Sequence, residues 1–184
     1  MVSLREGSAV LIGLDCDGIL ADLMPYWLEF YNRDYQDCLK NEHLTAWETH
    51  TLVKPECGFK VYEYLERPGF LCEVPLMPGA QQGVARLLDM GHEIVVVTDT
   101  PAKSVSDRLL WLRTHFAAIP EQNYIITPRK DLVRVDLLVD DAPCNIVNAR
   151  CPYVIFDHPY NQGVPGPRVT NWQQLVSYIE RFEP

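Results

Sequence analysis

The sequence predicts an α/β fold: a Rossmann-like three-layer α/β/α sandwich on a parallel sheet, with a small helical cap inserted after the first strand. Two observations carry this expectation. Apolar runs of strand length, without the alternation of a half-exposed strand, recur between stretches of helical periodicity, the pattern of strands buried on both faces and joined by right-handed crossovers. Several of these runs also stop abruptly at polar residues: Asp15-Cys16-Asp17-Gly18, Thr98-Asp99-Thr100-Pro101 and Asp140-Asp141. In open parallel sheets ligands bind outside the carboxyl ends of the strands, so these residues fall where chemistry is expected.

Taken in order, the first strand is the run from Ala9 to Leu14, closed by the two acids and a glycine that permits a sharp turn. Residues 19–35 carry Leu20, Leu23, Met24, Trp27, Leu28, Phe30 and Tyr31 at helical spacing. Residues 37–70 change character, with short helical pieces, many aromatics and the breakers Pro55, Gly58, Pro68 and Gly69. A helix is predicted over 80–90, stopped by Gly91, followed by a strand over 93–98 and a helix over 102–116. Strands follow at 124–127, 136–141 and 152–156, the last of them, then a Pro- and Gly-rich loop to residue 167 and a helix over 171–182. Residues 1–18 and 76–184 thus form the core, and residues 19–75 the cap.

Composition narrows the function. The chain has 184 residues, 47% of them hydrophobic, and a formal charge of −9. No apolar run reaches the roughly 20 residues of a membrane span, and the acidic balance disfavours duplex nucleic acid as a partner. Asp15 and Asp17 interrupt the one candidate for a signal segment, and the six cysteines show no Cys-x-x-Cys spacing. A cytoplasmic protein with reduced thiols, most packed as small core residues, is expected. No Gly-x-Gly-x-x-Gly or Gly-Lys-Ser/Thr loop follows the first strand, which leaves dinucleotide and P-loop binding unsupported.

The acids point to a bound cation, a shared proton, or both. Asp15 and Asp17 lie two residues apart and share a side while the strand lasts. Such a pair repels itself unless a cation, a shared proton or both lie between, and the adjacent Asp140 and Asp141 pose the same problem. In chain order, Asp15 and Asp17, then Thr98, then Lys130, then Asp140 and Asp141 resemble the set of haloacid dehalogenase-type phosphatases. A narrower resemblance is to the 5'(3')-deoxyribonucleotidases. It rests on residues 14–22, on residues 63–70 followed by Pro78-Gly79-Ala80, on Lys130 ahead of residues 136–141, and on Asp157-His158-Pro159-Tyr160-Asn161.

That resemblance implies a Mg²⁺-dependent phosphatase of deoxyribonucleoside 5'(3')-monophosphates acting through a covalent aspartyl-phosphate. Asp15 is then the nucleophile and Asp17 the general acid and base. Thr98, Asp99 and Lys130 bind the phosphate, with Asp99 a departure from the family's Thr-Ser-Pro. Mg²⁺ is held by Asp15, the backbone carbonyl of Asp17, Asp140 and Asp141, a hard oxygen set of the kind this ion prefers. In the cap, Leu23 stands where the family places a base-stacking aromatic, and Trp47 is the other substrate-binding candidate. The partner is a small phosphate monoester, and a homodimer is possible. The alternative is a phosphatase of the same type acting on another small monoester. A non-enzymatic phospho-acceptor of the receiver type places its acid pair first rather than last and has no insertion after strand one, and a silent binding module would not need every catalytic position filled.

Overall fold

The computed structural model describes residues 9–183. The assignment of residues 1–8 and 184 to the core lies outside the described residues. The elements are β1 (Leu11–Leu14), α1 (Leu23–Tyr35), α2 (Ala80–Asp89), β2 (Glu93–Thr98), α3 (Val105–His115), β3 (Tyr124–Ile126), β4 (Leu137–Asp140), α4 (Pro143–Asn148), β5 (Tyr153–Phe156), β6 (Arg168–Val169) and α5 (Trp172–Ile179). All six strands pair in parallel in the order β3-β2-β1-β4-β5-β6. With its covering helices the sheet makes the expected three-layer α/β/α sandwich.

Between β1 and α2 lie α1 and four 3-10 turns, Asn41–His43, Thr49–Thr51, Gly58–Glu66 and Phe70–Cys72. Trp27, Tyr31, Val61 and Tyr64 from this stretch are buried in one hydrophobic cluster with the sheet residues Ile12, Leu14, Val96 and Val139. No helix among the described residues is long and apolar enough to cross a membrane.

The structure departs from the sequence reading at four places. The first helix starts at Leu23 rather than at residue 19. Residues 18–21 instead fold back on β1: the amides of Leu20 and Ala21 both donate to the Cys16 carbonyl, at 2.8 and 2.9 Å, and the Gly18 amide donates to the Ala21 carbonyl at 2.8 Å. Asp22 spends its amide on the Pro75 carbonyl. A sixth strand follows the Pro- and Gly-rich loop. It is two residues long, too short for any periodicity, and exists because Arg168 and Val169 pair with Ile155 and Phe156. The helix α4 was not expected either; Pro143 opens it, at a position where its missing N–H costs nothing. All six cysteines are free, but only Cys16 and Cys57 are buried, while Cys38 and Cys144 are exposed.

One packing contact fixes the loop that leaves β1. The Trp172 indole of α5 lies against Gly83 of α2 so closely that a side chain at residue 83 would collide with the ring, which explains a glycine inside a helix. The same indole donates to the Ile19 carbonyl at 2.7 Å, tying α5 to the loop after Asp17.

Candidate active site

Sheet order reverses between β1 and β4, and the crevice outside their carboxyl ends is where an α/β fold binds ligands. Leu14 pairs with Val139, and the Asp15 amide continues that ladder to the Val139 carbonyl at 3.0 Å. Asp15 and Asp140 therefore leave the sheet side by side. Carboxylate oxygens of Asp15, Asp140 and Asp141, all buried, lie within 4.8 Å of one another.

Lys130 comes to this cluster from the turn after β3. Its ammonium lies 2.8 Å from Asp15 Oδ1 and 2.8 Å from Asp140 Oδ2, with the side chain 2% exposed. Asp15 Oδ1 also accepts the Cys16 amide at 2.6 Å. Asp140 is held further by the Ala142 amide at 2.9 Å and by Asn145 Nδ2, 3.1 Å from each oxygen. Asp141 accepts the Tyr160 hydroxyl on Oδ2, while its buried Oδ1 finds no partner among the described residues. Three buried carboxylates thus face one ammonium, an excess of two negative charges when all are ionised.

The electrostatic consequence is direct. Burial pushes the Asp15 carboxyl up to about 7, with Asp140 and Asp17 adding to the rise and Lys130 opposing it. Burial, then the charges of Asp15 and Asp140, raise Asp141 well above the usual carboxylate range. For Lys130 burial works against the charge, and the two aspartates outweigh it, so the ammonium persists. A site that strains to stay ionised, with an orphaned carboxylate oxygen, fits a hard divalent cation.

The late motif at residues 157–161 supports this cluster. Tyr160 reaches Asp141, Asn161 Nδ2 donates to the Asp141 carbonyl at 2.9 Å, and His158 Nε2 donates to the Gly18 carbonyl at 2.9 Å. His158 and Tyr160 stack with ring planes 4° apart. Gly18, at φ 77°, runs so close to Asp141 that any side chain there would collide with its carboxylate. The glycine is needed both for its backbone conformation and for this approach.

Asp17 points elsewhere. Both its oxygens accept from one nitrogen of Arg108, at 2.6 and 2.7 Å, and its side chain is 26% exposed against 0% for the arginine. Cys16, between the two acids, is fully buried, and its thiol, pushed up by burial, lies 3.2 Å from the other terminal nitrogen of Arg108. Thr98 is buried at the end of β2, its hydroxyl without a partner among the described residues.

A cavity of about 530 Å³ opens over these groups. Asp15, Asp17, Lys130 and Asp141 lie at its polar side, and Leu23, Met24, Trp27, Trp47 and Tyr62 form an apolar wall. Trp47 is partly exposed and packs edge-on against Tyr160 with centroids 5.4 Å apart. Asp99 lies on the lining as an exposed side chain. Of the sequence candidates, Asp15, Asp17, Leu23, Trp47, Asp99, Lys130 and Asp141 line the cavity, whereas Asp140 is buried against Lys130 and Thr98 is buried at the end of β2, neither of them on the lining. Sequence reading missed the parts played by Arg108, Asn145, His158 and Tyr160. The last two sat in a motif quoted for resemblance alone, and Arg108 carried a signal of its own: it stands at i−3 and i−4 from the buried Trp111 and Leu112, a charge on the apolar face of α3.

Fold and site together define a haloacid dehalogenase-like hydrolase. A haloacid dehalogenase-like protein from Agrobacterium tumefaciens superposes with a TM-score of 0.62 at 16% identity, covering 94% of this chain and 98% of that one, which shows the shared fold. The chain belongs to the family described as 5' nucleotidase, deoxy (pyrimidine), cytosolic type C protein, whose model matches residues 8–182. Among its relatives is the 5'(3')-deoxyribonucleotidase of Clostridium acetobutylicum, 33% identical over 173 residues, or 94% of this chain and 96% of the relative. The 5'(3')-deoxyribonucleotidase of Bacillus subtilis is 26% identical over 167 residues, 90% and 95% of the two chains. The protein is a phosphoric monoester hydrolase.

Proposed function

We propose that this hydrolase is a Mg²⁺-dependent phosphatase of deoxyribonucleoside 5'(3')-monophosphates that works through an aspartyl-phosphate on Asp15, with residues 19–75 as its substrate-binding cap. The observation that carries the proposal is the juxtaposition, in one cavity, of an over-charged carboxylate cluster and an aromatic wall. Asp15, the Asp17 backbone carbonyl, Asp140 and Asp141 would hold the ion, which when bound offsets the charge of the phosphate dianion. Lys130 adds positive charge at the same place. Asp15 Oδ1 is occupied by the Cys16 amide and Lys130, which leaves Oδ2 to form the bond to phosphorus as the ester P–O bond breaks. Asp17 enters the cycle protonated, gives that proton to the departing nucleoside oxygen, and regains one from the water that cleaves the acyl phosphate and releases inorganic phosphate. The unpartnered Thr98 hydroxyl donates to a phosphoryl oxygen.

A phosphate-release screen over deoxy- and ribonucleoside 5'- and 3'-monophosphates, sugar phosphates and p-nitrophenyl phosphate tests the substrate. Preference for deoxynucleotides, lost with EDTA, is expected. Leu23 in place of an aromatic, and the carboxylate of Asp99 on the lining, favour a second reading in which the same chemistry serves another small monoester. Turnover of sugar phosphates alone would select it. For Trp47→Ala a rise of about tenfold in KM for nucleotides is expected, the order of one base–aromatic stack, with little change for p-nitrophenyl phosphate. Equal effects on both would make Trp47 a structural residue.

The raised carboxyls also set a pH dependence. Between about pH 4, where an unfolded aspartate ionises, and pH 7 the metal-free folded protein holds protons at Asp15 that the unfolded chain has released. This cluster's contribution to stability therefore falls as pH rises through that window. An ion that binds the deprotonated set reverses the loss, so the rise in Tm on adding Mg²⁺ is expected to be larger at pH 8 than at pH 5.5. A rise independent of pH would remove the cluster as the binding site.

A further inference from the structure

We propose that Arg108 is the positioning residue for Asp17: it anchors the Asp17 carboxylate at the boundary between the protein interior and the cavity, from which the carboxylate turns to the cavity for proton transfer. The inference rests on the proposed acid and base role of Asp17 and extends it to a residue with no place in the sequence motifs.

The geometry is specific. Arg108 is completely buried, yet only one of its nitrogens meets the carboxylate, 2.6 Å from one oxygen and 2.7 Å from the other. Its second terminal nitrogen is turned to Cys16 Sγ, and its Nε has no partner among the described residues. A two-nitrogen fork would clamp the carboxylate in one plane. A single nitrogen is a pivot, about which the carboxylate can turn toward the cavity while keeping one hydrogen bond. Asp17 is placed for such a turn, because it lines the cavity that takes the phosphate ester while its partner lies wholly inside.

The arginine is itself held in place. On α3 and the turn before it, Ser104 Oγ donates to the Leu65 carbonyl at 2.6 Å, Asp107 accepts the Gly69 amide at 2.6 Å, and Trp111 Nε1 donates to the Val74 carbonyl at 2.7 Å. These bonds fasten the helix to the segment at residues 65–74 on both sides of Arg108. A buried ion pair is a poor way to gain stability, since desolvation consumes most of the attraction. Keeping a catalytic carboxylate tethered at the cavity edge is a better return on that cost, as displacement by about 1 Å can lower a rate about 100-fold.

The test compares Arg108→Met, Arg108→Lys, Asp17→Asn and the double variant Asp17→Asn/Arg108→Met, on a nucleoside 5'-monophosphate and on p-nitrophenyl phosphate, each with a thermal melt. A nucleoside alkoxide needs a proton to depart and p-nitrophenolate does not. Arg108→Met is expected to lower kcat on the nucleotide about 100-fold, far more than on the aryl ester, with KM within about twofold. Arg108→Lys, which keeps the charge, is expected to recover part of the loss. The double variant is expected to be no slower than Asp17→Asn alone, since Arg108 acts through Asp17. Equal losses on the two esters, or losses that multiply in the double variant, would overturn the proposal while leaving Asp17 its role. If Asp17→Asn itself shows no dependence on the leaving group, the acid and base reading fails and the positioning role falls with it. Should Arg108→Met not fold, the lysine variant and its leaving-group ratio decide alone.

Discussion

Asp15→Asn is expected to lower turnover of any phosphate monoester by more than about 10⁴-fold while the protein stays folded. An amide cannot form the acyl phosphate, yet it retains the oxygen that accepts from the Cys16 amide and Lys130. It also removes one negative charge from a cluster whose burial already holds Asp15 up to about 7. The metal-free variant should therefore melt at or above the temperature of the parent. Kinetics with a nucleotide and a thermal melt check both halves. Substantial residual hydrolysis by the well-folded variant would take the nucleophile's role from Asp15, and a large fall in Tm would show that its charge holds the loop together.

Lys130→Met is the mirror of that experiment, with the opposite outcome for stability. Its ammonium is the cation between Asp15 and Asp140, and replacing it by a thioether of similar length leaves buried carboxylates facing one another. Breaking a buried pair by removing one partner costs about 3 to 5 kcal/mol. The variant is expected to lose that order of stability together with nearly all activity. Denaturant unfolding with and without Mg²⁺ reads the effect, and added ion should restore part of the loss, since it brings positive charge to the same oxygens. A Lys130→Met protein as stable as the parent in EDTA would mean that the cluster is protonated and has no need of the ammonium.

Much of the fold was legible because it depends on local pattern. Glu93–Thr98 reads as a strand within the sheet from its run of β-branched residues, and it is one. The parallel arrangement follows from helices alternating with such runs. What failed was short or set by distant contacts. Arg168–Val169 is a strand only because β5 lies beside it. Residues 19–22 have helical spacing but are turned by hydrogen bonds to the Cys16 carbonyl and, from the Asp22 amide, to the carbonyl of Pro75, a residue far along the chain that periodicity cannot weigh.

For the site the division is similar. The residue types and their order, Asp15 and Asp17, Thr98, Lys130, Asp140 and Asp141, are a property of the chain, because strand ends place polar residues wherever an apolar run stops. Which partner each acid takes is not. Lys130 could have been a solvated lysine until the register of β1 on β4 put Asp15 beside Asp140 with space for an ammonium between them. Arg108 and Asp17 are 91 residues apart, and Tyr160 and Asp141 are 19 apart. No spacing rule spans such distances. The sequence alone determined the sheet and its crevice, which follow from periodicity, and the order of acids and lysine there, whose resemblance to a known family implied the chemistry. Only the tertiary structure decided how the charges pair, because burial and proximity are properties of the packed chain.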